Sequence, residues 1–255
     1  MHLTDTHCHL YSDELITDID AIIERATNEQ VTKFYLPAID STTHEAMLLL
    51  EEKFPGKCIA MMGLHPCSVK ENYLTELQIV EEWLAKKKFA AVGEIGLDFY
   101  WDKTFIVQQY DAFRKQMELA LRYKLPIAIH TRNAMAETIA VVKEYSGKGL
   151  HGIFHCFGGT YQDAVDIIDM GFYLGIGGVV TYKNSGLAQV IQKIDMQHLV
   201  LETDAPYLTP VPFRGKKNES SYLKYVADAI TAIKNITKEE LAAVTTANAE
   251  KIFGI

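Results

Sequence analysis

The segment Leu3-Thr4-Asp5-Thr6-His7-Cys8-His9 begins as a strand-like run and ends on two histidines. Residues two apart on an extended strand project to the same side, so His7 and His9 can chelate one ion. Four further strand-like runs also end on histidine or acid: Gly93-Glu94, Ile129-His130, Phe154-His155 and Glu202-Thr203-Asp204. Imidazoles and carboxylates are costly at the edge of an apolar core unless something pairs with them, so the pattern indicates a metal centre.

Apolar, β-branched-rich segments alternate with helical patterns along the whole chain. They predict eight strands, at residues 3–8, 31–39, 59–64, 89–95, 126–130, 152–156, 172–177 and 199–203. Such alternation predicts a parallel sheet covered by helices. Eight repeats favour a closed (β/α)8 TIM barrel over an open doubly wound sheet, and no glycine-rich nucleotide-binding motif supports the latter. We therefore predict one α/β domain over residues 1–255.

Helical repeats support the same architecture. Capping boxes are predicted at residues 42–45 and 237–240. Two long patterns have apolar residues at three- and four-residue steps. The first contains Ile106, Tyr110, Phe113, Met117, Ala120 and Leu121, and the second contains Tyr222, Tyr225, Val226, Ala229, Ile230 and Ile233.

Composition excludes several classes of protein. The formal net charge of −8 argues against a protein that wraps a DNA duplex, but not against one that binds a strand end or a small phosphate ester. No apolar run approaches the ~18 residues of a membrane helix, and the N-terminus lacks the regions of a signal peptide. We expect a soluble, cytoplasmic protein with reduced cysteines and no obligate protein partner.

Barrel enzymes gather their active sites at the C-terminal ends of the strands. The histidines and acids at the ends of the strand-like runs offer six metal-binding side chains. This number exceeds the four ligands of one tetrahedral zinc ion and predicts two divalent ions that share the Glu94 carboxylate. Asp204 is predicted to orient the attacking water and to accept its proton, so Asp204 and Glu94 are the catalytic candidates. The six expected metal ligands are His7, His9, Glu94, His130, His155 and Asp204.

Other side chains near the strand ends are candidates for substrate binding. His65 and Arg132 can contact phosphate oxygens, although each is also compatible with a packing or surface role. Arg214 and Lys216 can hold a DNA backbone or can simply form a solvated loop tip. The aromatic residues 99–101 are interpreted as the cover of a strand–helix junction, with stacking on a splayed base as the alternative.

Seven short motifs are spread over nearly the whole chain. They are Asp5-Thr6-His7-Cys8-His9-Leu10, Gly63-Leu64-His65-Pro66, Gly93-Glu94-Ile95-Gly96-Leu97-Asp98, His130-Thr131-Arg132, Phe154-His155-Cys156-Phe157-Gly158-Gly159, Glu202-Thr203-Asp204-Ala205-Pro206-Tyr207 and Arg214-Gly215-Lys216. As a set, these motifs resemble the TatD family of metal-dependent deoxyribonucleases. Tyr11 and Ser220 depart from the pattern, at positions where the family commonly has an acidic residue and a proline.

The resemblance implies an amidohydrolase-like barrel, the same six metal residues, magnesium as the usual ion and hydrolysis of DNA phosphodiesters, often from an end. We therefore expect a metal-dependent DNase that uses two divalent ions, magnesium or manganese with zinc as a further option, on single strands or ends. The alternative is an amidohydrolase-like enzyme or phosphoesterase that acts on a small molecule, because both would share the fold and the metal site. A third hypothesis is a metal site that serves stability or partner binding.

Overall fold

The chain folds as alternating strands and helices, and the computed structural model describes residues 2–254. The strands are β1 (Leu3–Asp5), β2 (Val31–Pro37), β3 (Cys58–Met61), β4 (Val92–Asp98), β5 (Ile127–Arg132), β6 (Gly152–Phe154), β7 (Phe172–Ile176) and β8 (Leu199–Leu201). The α-helices are α1 (Ile19–Asn28), α2 (His44–Lys53), α3 (Tyr73–Lys86), α4 (Ile106–Tyr123), α5 (Met135–Lys143), α6 (Tyr161–Asp169), α7 (Leu187–Lys193), α8 (Leu223–Lys234) and α9 (Lys238–Phe253). In this described range, no helix has the length and apolar character that crossing a membrane requires.

The strands close into a barrel. Each strand pairs in parallel with the next one along the chain, from β1 through β3 in one sheet and from β4 through β8 in another. The two sheets join between β3 and β4, where Met62 pairs with Val92. They also join between β8 and β1, where the Thr6 amide donates to the Leu201 carbonyl at 3.0 Å. The predicted (β/α)8 barrel is therefore confirmed, and the C-terminal ends of the strands meet on one face.

The apolar interior divides into two clusters because alternate side chains of a strand face opposite sides. On β2, Phe34 belongs to the large cluster that includes the helices, whereas Tyr35 belongs to a smaller one. Phe253 of α9 stacks on Tyr35, with 4.2 Å between the ring centroids. Asn248 of the same helix donates to the Leu199 carbonyl at the start of β8. Helix α9 therefore covers the N-terminal end of the barrel.

The predicted helices are present, with one error at a helix start. The two long repeats form α4 and α8. At the start of α9, Thr237 accepts from the Glu240 amide at 3.2 Å and donates its own amide to the Glu240 carboxylate at 2.8 Å, which confirms this capping box. The capping box predicted at residues 42–45 is wrong, because the Thr42 hydroxyl donates to Asp40 instead and α2 begins without a side-chain cap.

Glu94 lies inside β4 rather than at its end, which corrects the predicted strand boundary. The strand runs on to Asp98, and its register against β5 shifts between Gly93 and Ile95. Glu94 is therefore skipped in the ladder, and its amide donates to the Ala38 carbonyl at 3.2 Å. Such a bulge changes the direction of the extra residue's side chain. It brings the Glu94 carboxylate into the mouth of the barrel.

Candidate metal centre

The structure brings all six predicted metal ligands together around Glu94 at the C-terminal end of the barrel. Several of them follow their strands directly, because β1, β6 and β8 end earlier than predicted. The positions are after β1 for His7 and His9, within β4 for Glu94, within β5 for His130, after β6 for His155 and after β8 for Asp204. Three overlapping groups of side chains at this point have donor atoms close enough to hold one ion.

Each oxygen of the Glu94 carboxylate faces its own pair of these imidazoles. Oε1 lies 2.7 Å from His130 Nδ1 and 3.0 Å from His155 Nε2. Oε2 lies 3.0 Å from His7 Nε2 and 3.5 Å from His9 Nε2. The carboxylate therefore occupies the position that a bridging ligand needs.

Asp204 completes the side of the cluster that carries His7 and His9. Its Oδ1 lies 3.9 Å from His7 Nε2 and 3.7 Å from His9 Nε2. The backbone of Asp204 has a φ of 57°, in the left-handed region that aspartate tolerates better than most residues. Its amide donates to the His7 carbonyl at 2.9 Å. This bond ties the segment after β8 to the segment after β1.

The buried charges of the cluster determine its protonation. Burial would raise the pKa of Glu94, but His155 and other nearby imidazoles outweigh it and hold this pKa well below its usual range. Burial and the neighbouring His155 lower the pKa of His7 well below the ordinary value. The two rings stack with 3.7 Å between their centroids, so positive charges on both would repel each other. An ionised Glu94 and a neutral His7 are the states that metal binding requires.

Tyr11 determines which nitrogen of His9 carries the proton. The tyrosine hydroxyl donates to the Pro37 carbonyl at 2.6 Å, so its 3.0 Å contact with His9 Nδ1 must be one in which His9 donates. The Nε2 lone pair of a neutral His9 then faces the carboxylates of Glu94 and Asp204. A lone pair and a carboxylate repel each other unless a proton or a metal ion lies between them. A divalent ion therefore fits this donor set.

Two acids that sequence reasoning missed support the other ligands. Asp98 Oδ2 lies 3.0 Å from His130 Nε2, and Glu202 Oε1 lies 3.4 Å from His155 Nδ1. Carboxylates in this position orient a ligand imidazole and increase its basicity. A Cβ atom at Gly175 would lie 2.2 Å from Glu202 Oε2, so glycine provides the space for this acid. Both acids stand at or just after strand ends, which is the signal that could have found them.

His65 also contacts the cluster, but as a hydrogen-bond donor. The Cys67 amide donates to His65 Nδ1 at 3.0 Å, and burial lowers the pKa of the ring. The proton of the neutral ring is therefore on Nε2, which faces Glu94 Oε1 at 3.2 Å. An N–H group in this place binds an oxygen rather than a cation. The contact of His65 with substrate stays a prediction.

A buried network holds the residue before Asp204. Asp5 accepts hydrogen bonds from the Thr203 amide at 2.9 Å, the Thr203 hydroxyl at 2.6 Å and the Ser220 hydroxyl at 2.6 Å. Burial raises the pKa of Asp5 to about 7 in spite of these bonds. Ser220, one of the two departures from the family pattern, is therefore a donor in the network that positions the segment after β8.

The three cationic side chains that were predicted to bind substrate are less closely grouped than the six predicted metal ligands. Arg132 is the last residue of β5 and is exposed. The Arg214 guanidinium lies 4.4 Å from the centroid of the Tyr182 ring, and Lys216 is exposed. Within residues 2–254, no hydrogen bond or ion pair joins the side chain of Arg214 or Lys216 to the six donors.

Comparisons with known proteins cover almost the full chain. The model of a family described as TatD related DNase matches residues 4–254. YabD of Bacillus subtilis (strain 168), named an uncharacterized metal-dependent hydrolase, is 41% identical in an alignment 255 residues long that covers 99% of this chain and 99% of that protein. The 3′-5′ ssDNA/RNA exonuclease TatD of Citrobacter rodentium (strain ICC168) is 30% identical in an alignment 257 residues long that covers 98% of this chain and 97% of that protein.

A solved structure agrees with the fold described above. The crystal structure of YjjV, a TatD homologue from Escherichia coli K12, matches with a TM-score of 0.94 and 29% sequence identity. The alignment covers 99% of this chain and 98% of that one. With the family model, the full-length relatives and the donor set in agreement, this chain belongs to the family of TatD-related DNases and is a metal-dependent hydrolase of that family.

Proposed function

We propose that this protein is a deoxyribonuclease that uses two divalent ions to hydrolyse phosphodiester bonds from the ends of single strands. The observation that carries the proposal is the position of Glu94, whose Oε2 faces the imidazoles of His7 and His9 while its Oε1 faces those of His130, His155 and His65. A carboxylate placed in this way can bridge two cations, and two-cation sites serve in-line displacement at phosphorus. The printed name of the Citrobacter relative, a 3′-5′ exonuclease for ssDNA and RNA, supports nucleic acid as the substrate class.

The donors divide naturally between the two oxygens of Glu94. By their distances to the carboxylates, His7, His9 and Asp204 would hold an ion on the Oε2 side, and His130 and His155 would hold one on the Oε1 side. When bound, the ions supply Lewis acidity, which lowers the pKa of water and offsets charge on the phosphoryl group. We propose magnesium or manganese, with zinc as the alternative that the imidazole-rich set also suits.

The side chains around the donors have separate roles in this proposal. Asp204 faces the cluster and is proposed to accept the proton of the attacking water. The His65 Nε2–H group and the Arg132 guanidinium are proposed to bind phosphate oxygens. Arg214 and Lys216, on the loop after β8, are proposed to contact the DNA backbone away from the scissile bond.

A phosphoesterase or amidohydrolase that acts on a small molecule is the second candidate. The formal net charge of −8 favours it, because a negative protein gains little from long-range attraction to a polyanion. The fold and the donor set are equally compatible with both candidates.

Digestion of an end-labelled single-stranded oligonucleotide by metal-replete protein separates these candidates. We expect a ladder from one end that disappears with a chelator and in Glu94→Gln. The matched control is Glu76→Gln, since Glu76 is a buried glutamate that bonds Ser41 outside the cluster, and this variant should keep the ladder. Metal-containing protein that cleaves no oligonucleotide with magnesium, manganese or zinc, but hydrolyses a small phosphate diester, would contradict the DNase proposal and support the second candidate.

A further inference from the structure

Two large aromatic side chains beside the metal centre are exposed. Tyr100 is 50% exposed and Trp101 is 66% exposed, whereas Phe99 packs against the large apolar cluster. The covering role expected for this segment therefore falls to Phe99 alone. Exposed aromatic surface of this kind commonly marks a binding site.

The exposed pair is held in place by the same carboxylate that supports a metal ligand. Asp98 Oδ1 accepts from the Tyr100 amide at 2.8 Å and from the Trp101 amide at 2.9 Å. Its other oxygen contacts His130 Nε2 at 3.0 Å. The two aromatic rings meet edge to face, with 4.9 Å between centroids and an angle of 84°. Asp98 therefore fixes Tyr100 and Trp101, which together we call the aromatic corner, relative to the metal-binding side chains.

Arg132 adds a cation to this corner. Its guanidinium lies 3.9 Å from the centroid of the Tyr100 ring and 5.1 Å from that of Trp101, within cation–π range. Within residues 2–254, the guanidinium forms no hydrogen bond or ion pair, so its N–H groups are free to bind an anion. Arg132 follows His130 by two residues on β5, which places the cation next to the cluster.

We propose that Tyr100, Trp101 and Arg132 form a nucleotide subsite in which the Trp101 ring stacks on an unpaired base and the Arg132 guanidinium, held over the Tyr100 ring, binds the adjoining phosphate. Every nucleobase offers a π-face, so the subsite selects for unpaired nucleotides rather than for sequence. Bases within a duplex are already stacked and paired, so the subsite favours single-stranded substrate. This inference rests on the proposed nuclease function and names the residues that would select an unpaired nucleotide.

Binding of hydrolysis-resistant phosphorothioate oligonucleotides to metal-replete protein tests the subsite without turnover. A thymidine oligomer is compared with an abasic oligomer of the same length and charge. Trp101→Ala should weaken binding of the thymidine oligomer about 5- to 100-fold and leave binding of the abasic oligomer unchanged. Arg132→Gln should weaken binding of both oligomers. Trp83→Ala is the matched control, because Trp83 lies on α3 and is the other of the two tryptophans of the chain.

The outcomes separate this inference from the function on which it rests. If Trp101→Ala binds both oligomers as the wild type does, or loses affinity for both equally, the base-stacking subsite is wrong. In that case, oligonucleotide hydrolysis by the wild type would still support the nuclease proposal. If the wild type binds neither oligomer and cleaves no oligonucleotide, both proposals fail. Quenching of Trp101 fluorescence in Trp83→Phe by the thymidine oligomer, and not by the abasic one, would support the subsite directly.

Discussion

Replacing Tyr11 with phenylalanine removes the one hydroxyl that links His9 to the Pro37 carbonyl. Tyr11 is buried, and its hydroxyl donates to Pro37 while it accepts from His9 Nδ1. In the variant, the proton on Nδ1 loses its partner, and the Nε2 lone pair is no longer held toward Glu94. The ring of residue 11 keeps its apolar contacts, so the change is confined to the polar groups.

The size of the effect follows from these two contacts. Leaving a buried donor or acceptor unpaired costs about 1–3 kcal/mol, so the free energy of unfolding should fall by roughly that amount. Loss of an outer partner of a ligand histidine typically weakens metal binding about 10- to 100-fold. Both effects should appear together, because one hydroxyl serves the carbonyl and the imidazole.

Two measurements on the same samples check this prediction. Urea unfolding with a chelator present gives the stability, and competition with a chelating dye gives the affinity for manganese. Tyr35→Phe is the matched control, because Tyr35 is a buried tyrosine of β2 that packs on Phe253 away from the site. Metal affinity in Tyr11→Phe equal to that of the control would refute the tautomer argument.

Three further variants test separate parts of the site. Asp204→Asn should fold and retain some metal but lose at least ~100-fold in oligonucleotide turnover, and near-wild-type turnover would remove Asp204 from the role of base. Glu202→Gln keeps an oxygen for the Cys156 amide but loses the charge beside His155. The affinity for manganese should therefore fall about tenfold, and an unchanged affinity would contradict the role of Glu202 in supporting His155. Asp5 has a pKa raised from 3.8 to about 7 in the folded chain, so its contribution to stability is present below about pH 4 and is lost as pH rises to about 7. The free energy of unfolding of Asp5→Asn minus that of the wild type, measured in urea with a chelator, should therefore rise by roughly 4 kcal/mol from pH 4 to pH 8. A difference that does not depend on pH would count against the raised pKa.

The barrel and its donor set could be predicted because both leave local marks in the sequence. An apolar run that leads to His7 or Asp204 places a polar side chain just beyond the end of a strand, and the barrel brings the ends of its parallel strands together. The number of strands followed from repetition, and the long helix α4 followed from its periodicity.

The remaining features depend on contacts between distant segments, which no local pattern shows. The bulge that turns Glu94 inward depends on pairing with β5, and the support of His9 depends on a carbonyl of β2. Likewise, Asp40 captures the Thr42 hydroxyl, so the predicted capping box does not form. The sequence could suggest that Tyr11 departs from the family pattern, but only the fold shows its two partners.

The central claim is that the cluster around Glu94 binds two divalent ions on which hydrolysis depends. The most direct test is to add manganese stepwise to metal-free protein and to measure bound metal and oligonucleotide cleavage on the same samples. We predict two equivalents bound in the wild type, with cleavage following occupancy, and fewer than two equivalents with no cleavage in Glu94→Gln. Cleavage that is complete before metal binds, or that survives in Glu94→Gln with unchanged stoichiometry, would contradict the account.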